Sequence, residues 1–205
     1  MAEKGMLIVV SAPSGTGKGA IIEKLLADDK NITHSVSATT RAPRKGETDG
    51  ISYHFVSKPE FRKMIANHEL IEWDEYVNNY YGTPKKYIED VTSKGGDVIL
   101  DITVAGAVNI KTECPEAVMI FVLPPSIKEL ERRIMSRGTD SPEAIKSRLE
   151  YAYAEFKHVG EYEYVVINDN LEVAVDEVKT IIAAERMKYT RNPSILGKLY
   201  KGDIK

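Results

Sequence analysis

A chain of 205 residues is long enough to bury the core of an α/β domain. Its 28 basic and 31 acidic residues leave a net charge of −3, which argues against a general nucleic-acid-binding protein. The single cysteine, Cys114, excludes an intramolecular disulfide, and no Cys/His cluster has zinc-binding spacing, so we expect a cytoplasmic protein.

The N-terminal sequence predicts a strand followed by a phosphate-binding loop. The apolar run 6–10 is too short for a signal peptide or a membrane span, so we expect no membrane association. Residues 14–18 then read Ser-Gly-Thr-Gly-Lys, and a helical pattern runs from Gly19 to about Asp29. Strand, glycine-rich turn and helix in this order form a P-loop, because backbone N–H groups, the helix N-terminus and a lysine all favour an anion.

The P-loop pattern is imperfect at both ends. Ala12 stands where the strict pattern has glycine, and Gly19 stands where a hydroxyl residue usually contacts Mg²⁺. The metal must therefore rely on nucleotide phosphates, waters and another side chain. The alternative is a plain turn with Lys18 solvated, but the flanking strand and helix favour phosphate binding.

Short apolar strands alternate with helices further along the chain, which indicates a doubly wound parallel sheet. The predicted strands lie near 97–102, 117–123 and 163–167, and the predicted helices near 126–136, 141–158 and 171–188. The fold class is therefore α/β with a P-loop core.

Residues 37–88 have a different pattern and predict a small inserted α/β subdomain. Its expected elements are strands near 53–56 and 70–73 and a helix near 59–67. The polar segment 137–142, marked by glycine and proline, is a candidate mobile lid between two helices. The basic tail from Arg191 onward is expected to be partly disordered.

Three polar features of the insertion could carry chemistry. Arg41 and Arg44 lie beside hydroxyl residues, a set that suits a phosphate, although a solvated basic loop is the alternative. The segment 78–83 places two tyrosines and a threonine at a predicted tight turn, where they could instead cap an apolar patch. Glu72 lies between Ile71 and Trp73, and strand alternation favours an outward side chain over one in a cleft.

In their order along the chain, these motifs resemble those of guanylate kinase. They are Ala-Pro-Ser-Gly-Thr-Gly-Lys at 12–18, Ser-Ala-Thr-Thr-Arg-Ala-Pro-Arg at 37–44, Gly46-Glu47 with Asp49-Gly50 and Tyr53, Asn-Tyr-Tyr-Gly at 79–82, and Asn168-Asp169. The resemblance covers about residues 6 to 188. It implies an enzyme that transfers the γ-phosphoryl group of ATP to GMP, and to dGMP, giving ADP and GDP and requiring Mg²⁺.

The resemblance also implies a division of the chain into a P-loop NTPase core, a GMP-binding subdomain and a helical lid. The core takes 1–36, 89–125 and 160–190, the GMP-binding subdomain 37–88, the lid and its flanking helices 126–159, and the C-terminal tail 191–205. The sequence leaves open whether the chain forms a homo-oligomer.

The site residues are carried over from the same resemblance. ATP is assigned to Ala12, Pro13, Ser14, Gly15, Thr16, Gly17, Lys18, Gly19, Asn168 and Asp169. The GMP phosphate is assigned to Ser37, Arg41, Arg44, Tyr53 and Tyr81, guanine to Glu72 and Thr83, and Glu47 and Asp101 complete the GMP site. The catalytic set is Lys18, Arg133, Arg137 and Arg148.

The chemistry of guanine supports this assignment. A carboxylate can accept from both the N1–H and the 2-amino group, and a hydroxyl can donate to O6, whereas adenine presents the opposite pattern. The reaction needs no general base, because the accepting phosphate oxygen is largely ionised near neutrality with a second pKa of about 6.

Some positions depart from the family pattern and leave alternatives open. Thr103 stands where relatives often have a second acidic residue, and Ala105 where glutamine is common. Asp101 is the candidate to reach the metal through a water, or else it is an ordinary strand-end residue. Arg137 and Arg148 could be helix-surface charge, and Asn168-Asp169 could be a helix N-cap.

Two rival functions fit parts of the sequence. Guanylate-kinase-like domains of scaffold proteins bind phosphorylated partners without catalysis, but they typically lose the P-loop and lid residues that this chain keeps. Another nucleoside monophosphate kinase would not need Glu72 or the Asn-Tyr-Tyr-Gly segment at 79–82.

Overall fold

The computed structural model describes residues 4–44, 46–76, 78–136 and 142–202, which form two β-sheets flanked by helices. The strands are β1 (Leu7–Ser11), β2 (Ile32–His34), β3 (Ala38–Thr39), β4 (His54–Phe55), β5 (Leu70–Tyr76), β6 (Asn79–Pro84), β7 (Asp97–Asp101), β8 (Val118–Leu123) and β9 (Tyr164–Ile167). The helices are α1 (Lys18–Asp28), α2 (Lys58–Ala66), α3 (Lys85–Thr92), α4 (Val104–Glu113), α5 (Ile127–Met135), α6 (Pro142–Phe156), α7 (Leu171–Arg186) and α8 (Ile195–Lys201). Short 3₁₀ turns lie at Val159–Glu161 and Tyr189–Arg191.

The larger sheet has five parallel strands in the order β2-β7-β1-β8-β9. Ile8 and Val10 of β1 belong to an apolar cluster with α1 and α7, whereas Leu7 and Val9 belong to a second cluster with α3 and α4. Helices therefore cover both faces, which explains why the strands are almost continuously apolar. The predicted doubly wound P-loop core is confirmed.

This strand order places β1 at the centre of the sheet, with chain crossovers on both sides. Ligands of doubly wound sheets bind where such strands end. The P-loop follows β1 at this edge, Asp101 ends β7, and residues 168–169 follow β9. The topology alone therefore brings three of the predicted segments to one edge.

The smaller sheet is built from residues 38–84 in the order β4-β3-β6-β5. β3 runs parallel to β4 and antiparallel to β6, and β5 and β6 form a hairpin next to Asn78, whose φ of 59° is left-handed. Helix α2 begins with a capping box between Ser57 and Glu60 and packs Phe61 on this sheet. The sheet lies inside the predicted insertion 37–88, whose boundaries stay a prediction.

The structure differs from the sequence-based elements in several places. Strands β2, β3 and β6 and helices α3 and α4 were not predicted, and the expected turn at 78–83 is mostly strand. The expectation of disorder in the tail is wrong for its described part, because Arg191 donates to the buried Glu185 carboxylate and α8 follows. Residues 137–141 of the candidate lid segment 137–142 lie outside the described residues, and Pro142 begins α6. None of the helices in the described ranges is long and apolar enough to cross a membrane.

A buried ion pair joins the start of the large sheet to α7. Asp97, whose side chain is 3% exposed, accepts from the Met6 N–H at 2.7 Å and from the Arg186 guanidinium at 2.6 and 2.9 Å. Arg186→Met would leave this buried carboxylate without its cation. We expect the free energy of unfolding to fall by about 2–3 kcal/mol, below the value for a fully buried pair because Arg186 is 38% exposed.

Urea denaturation measures this loss. Lys179→Met, which removes a more exposed pair with Asp28, is the matched control and should lower the free energy of unfolding by about 0–1 kcal/mol. Equal losses in the two variants would contradict the special role of the Asp97 pair.

Candidate active site

The P-loop is held in a conformation that requires glycine at two positions. Gly15 and Gly17 have φ angles of 93° and 89°, in the left-handed region. A Cβ on Gly15 would lie 2.9 Å from Cγ1 of Ile134 on α5, and a Cβ on Gly17 would lie 2.4 Å from Nδ2 of Asn168. The two glycines therefore allow both the turn and the close packing of its neighbours.

Lys18 is the first residue of α1, and its side chain is only 17% exposed. Its ammonium group forms an ion pair with the Asp101 carboxylate at 2.6 Å and donates to the carbonyl of Ile102 at 2.9 Å. The lysine is therefore oriented by the end of β7, the strand that pairs with β1.

Arg133 and Asn168 both contact the backbone of the P-loop. Arg133 donates to the carbonyl of Asn168 at 2.9 Å and to that of Thr16 at 3.4 Å, while Glu129 accepts from its Nε at 2.7 Å. The buried Asn168 amide donates to the Thr16 carbonyl at 2.7 Å. The N-cap alternative for Asn168-Asp169 is wrong, because Asn170 caps α7.

The remaining residues predicted for the ATP side lie outside the P-loop in the sequence. Arg148 lies half-buried on α6, which packs on α5 through an apolar cluster that includes Leu130, Ile134 and Ala152. Asp169 is exposed directly after β9. Arg137 lies outside the described residues.

Arg41 and Glu47 form a two-bond ion pair beside the small sheet. Arg41 donates to the two carboxylate oxygens of Glu47 at 2.8 and 2.9 Å, and Glu47 also accepts from the Arg44 N–H at 2.7 Å. These bonds, led by that from Arg41, lower the pKa of Glu47 to about 2. Glu47 thus orients Arg41 and the start of the loop that carries Arg44.

Aromatic rings surround the Arg41 guanidinium. Its central carbon lies 5.4 Å from the ring centroid of Tyr53 and 5.9 Å from that of Phe55. Tyr81 contacts Tyr53 edge-on at 6.2 Å, and its hydroxyl helps to raise the pKa of Arg41, an effect led by the Glu47 hydrogen bond. Ser37 lies beside this group, since its carbonyl accepts from the N–H of His54. The structure therefore places two of the predicted phosphate-binding residues, Tyr53 and Tyr81, beside the Arg41 guanidinium.

Glu72 points inward, so the expectation from strand alternation is wrong. It is 7% exposed and its Oε1 accepts from the Thr83 hydroxyl at 2.6 Å, whereas Trp73 is 43% exposed. An irregularity in the β5–β6 register between Leu70 and Glu72 is the physical reason, because a bulge shifts the faces of the following residues. Burial raises the pKa of Glu72 to about 7.

Asp101 lies between the two groups of residues. It forms the ion pair with Lys18, and its charge adds to the effect of burial in raising the pKa of the Tyr53 hydroxyl. Burial lowers the pKa of His34, which is also within electrostatic reach of Asp101 and Lys18. Asp101 therefore lies near both the P-loop lysine and Tyr53, the tyrosine beside Arg41.

The sequence did not predict His34 or Glu129 as residues near the site. The spacing of Glu129 and Arg133, four residues apart on a helix, was a usable signal for an orienting pair. Nothing in the sequence pattern around His34 pointed to the site.

The described residues offer few ligands for a metal. Within those ranges, no group of three or more His, Cys, Asp or Glu side chains is arranged to hold an ion. Asp101 supplies one carboxylate at the P-loop, while Gly19 supplies no side-chain donor. This donor set fits a cation that is carried mainly by phosphate oxygens and waters.

A P-loop at the centre of a parallel sheet, with the oriented Arg41 guanidinium beside a second, smaller sheet, is the arrangement expected of a kinase whose acceptor is itself phosphorylated. The buried Glu72 carboxylate and Thr83 hydroxyl can form hydrogen bonds with a nucleobase. The class is therefore a nucleoside monophosphate kinase.

Comparison with known proteins identifies the family within this class. The guanylate kinase family model matches residues 4–185. A guanylate kinase of Halalkalibacterium halodurans is 50% identical over 189 residues, 92% of this chain and 93% of that protein, and one of Bacillus subtilis is 46% identical over 192 residues, 93% and 94%. The crystal structure of guanylate kinase from Anaplasma phagocytophilum has a TM-score of 0.76 at 38% identity, covering 93% of this chain and 90% of that one.

The chain belongs to the guanylate kinase family. Its activity is that of an ATP:GMP phosphotransferase, which transfers the γ-phosphoryl group of ATP to GMP and yields ADP and GDP. The rival functions, a scaffold binding module and a kinase of another nucleoside monophosphate, are thereby set aside.

Proposed function

We propose that GMP is recognised by two groups of residues on the small sheet. The observation that carries this proposal is the buried Glu72 carboxylate, which accepts from the Thr83 hydroxyl at 2.6 Å. The carboxylate can accept from N1–H and the 2-amino group of guanine, and the Thr83 hydroxyl would turn its single hydrogen from Glu72 to O6 when the base binds. The phosphate is assigned to the group around Arg41, namely Ser37, Arg44, Tyr53 and Tyr81. Glu47 acts in this site by orienting Arg41.

On the donor side, the P-loop backbone and Lys18 bind the ATP phosphates. The left-handed glycines leave backbone N–H groups available to an anion, and the N-terminus of α1 favours negative charge. Arg133 supports this loop by donating to the Thr16 and Asn168 carbonyls. Its assigned role is to stabilise the transferring phosphoryl group. Arg137 and Arg148 complete the proposed catalytic set, with 126–159 as the lid.

Catalysis then depends on positioning and charge. The attacking phosphate oxygen of GMP is largely ionised near neutral pH, so no side chain has to remove a proton. Lys18 and the arginines hold two mutually repelling anions in line and stabilise the charge of the transition state. Closure over the site would exclude water and suppress hydrolysis of ATP.

Mg²⁺ would be bound at this site together with ATP. It would supply charge neutralisation between the ATP phosphates, and Asp101 is the side chain placed to reach it through a water. The cytoplasmic location stays a prediction from the cysteine content.

A substrate panel tests the assignment. ADP release is measured with GMP, dGMP, AMP, UMP and CMP as acceptors. We expect strong turnover with GMP and dGMP only. Turnover with AMP and not GMP would contradict the guanine site, and no turnover with any acceptor would contradict catalysis.

The raised pKa of Glu72 predicts a pH dependence of GMP binding. Guanine needs the ionised carboxylate, and burial raises the pKa of Glu72 to about 7, so the protonated form dominates below that pH. We expect KM for GMP to rise about tenfold from pH 8 to pH 6. In Glu72→Gln this ionisation is absent, so the part of the pH dependence that comes from Glu72 should disappear. An unchanged KM for GMP over this range in the unmodified chain would contradict the prediction.

A further inference from the structure

We propose that Gly106, in the first turn of α4, is a positioning residue for the Glu72 carboxylate and thereby a determinant of guanine specificity. The proposal rests on the guanine-binding role proposed above for Glu72. A Cβ at position 106 would lie 2.8 Å from Oε2 and 3.4 Å from Cδ of Glu72. Cβ atoms do not approach an oxygen this closely, so only glycine leaves the carboxylate where it is.

The backbone of Gly106 does not itself require glycine. It has an ordinary helical conformation inside α4, whereas the glycines with left-handed φ angles lie elsewhere. Alanine is favoured over glycine within a helix, so a helix-forming sequence has no local reason to place glycine here. The reason that the structure offers is the space taken by Glu72.

The carboxylate is enclosed on both sides. Thr83 donates to Oε1 at 2.6 Å, and Oε2 lies against the α4 backbone at Gly106. The Glu72 side chain is buried, so it has no open solvent beside it into which it could move away from an added methyl group. A methyl group at position 106 would therefore displace the end of the side chain and strain its bond to Thr83.

The backbone at Gly106 is also fixed. The Thr103 hydroxyl caps α4 by accepting from the Gly106 N–H at 3.1 Å, and the Thr103 carbonyl accepts from the Ala107 N–H at 3.0 Å. The helix N-terminus also favours a negative charge at Glu72. Thr103, a departure from the family pattern, thus fixes the α4 backbone that the Glu72 carboxylate contacts at Gly106.

Gly106→Ala tests the proposal. The N1–H and 2-amino groups of guanine donate to the two oxygens of the Glu72 carboxylate. Displacement of this carboxylate therefore weakens at least one of these charge-assisted hydrogen bonds. We expect KM for GMP to rise about tenfold, with kcat and KM for ATP changed less than twofold. The preference for GMP over IMP should also fall, because IMP lacks the 2-amino group.

The control is Gly160→Ala, since a Cβ there meets nothing within 4 Å, and its kinetics should match those of the unmodified chain. The double variant Gly106→Ala/Glu72→Asp should bind GMP no worse than Glu72→Asp alone, because the shorter side chain clears the added methyl group. Thermal melting of each variant tests folding separately.

The proposal is overturned if Gly106→Ala leaves both KM for GMP and the GMP/IMP preference unchanged. It is equally overturned if the melting temperature, KM for ATP and KM for GMP all change together, which is a purely structural effect. If instead Glu72→Asp and Glu72→Gln leave KM for GMP unchanged, the guanine site itself fails, and the role of Gly106 fails with it.

Discussion

Lys18→Met should lower kcat by roughly 10²–10³-fold while leaving the affinity for GMP nearly unchanged. The variant keeps the length and most of the apolar stem of the lysine but removes the charge that we assign to the donor phosphates. In the structure this charge is paired with Asp101 at 2.6 Å, so the lysine is already oriented at the strand end. ADP release under saturating substrates gives kcat, and calorimetric titration gives the affinity for GMP.

Lys24→Met is the matched control for this experiment. Lys24 lies on the same helix, α1, but its partner is the exposed Glu172, away from the P-loop. Its kcat should stay within a factor of about two. A Lys18→Met enzyme that keeps more than a third of the normal kcat would remove this lysine from the catalytic set.

Much of the donor side could be predicted from sequence because its geometry is local. A strand, a glycine-rich turn and a helix in succession fix the P-loop by backbone conformation alone, and Gly15 and Gly17 both have left-handed φ angles. Continuous apolar strands likewise indicated a sheet covered on both faces. The contacts of Arg133 and Asn168 with the Thr16 carbonyl were not predictable, since they join residues more than a hundred positions apart.

The acceptor side depended on tertiary structure to a greater extent. Strand alternation gave the wrong face for Glu72, because a register irregularity after Leu70 is not visible in the residue pattern. Helices α3 and α4 were missed, and with them the contact between Gly106 and Glu72. The resemblance to a family supplied Glu72 and Arg41 as candidates, whereas only the structure supplied the partners that hold them.

Glu72→Gln should lower kcat/KM for GMP by roughly 10²–10⁴-fold, with most of the loss in KM. A carboxylate accepts from both guanine donors, whereas an amide presents one acceptor and one competing donor, so up to two charge-assisted hydrogen bonds of about 1.5–3 kcal/mol each are weakened. The loss should be smaller for AMP, whose base does not present these donors, so the preference for GMP over AMP narrows.

The same substitution should leave the folded state at least as stable at pH 8. Burial raises the pKa of Glu72, so ionisation of this group opposes folding as the pH rises from about 4.5 to 7, and a neutral glutamine avoids that cost. Urea denaturation at pH 8 therefore separates a recognition defect from a folding defect. Glu75→Gln, an exposed change on the same strand, is the matched control and should alter neither kinetics nor stability. Guanine recognition by Glu72 would be rejected if Glu72→Gln and Glu75→Gln showed equal kcat/KM for GMP.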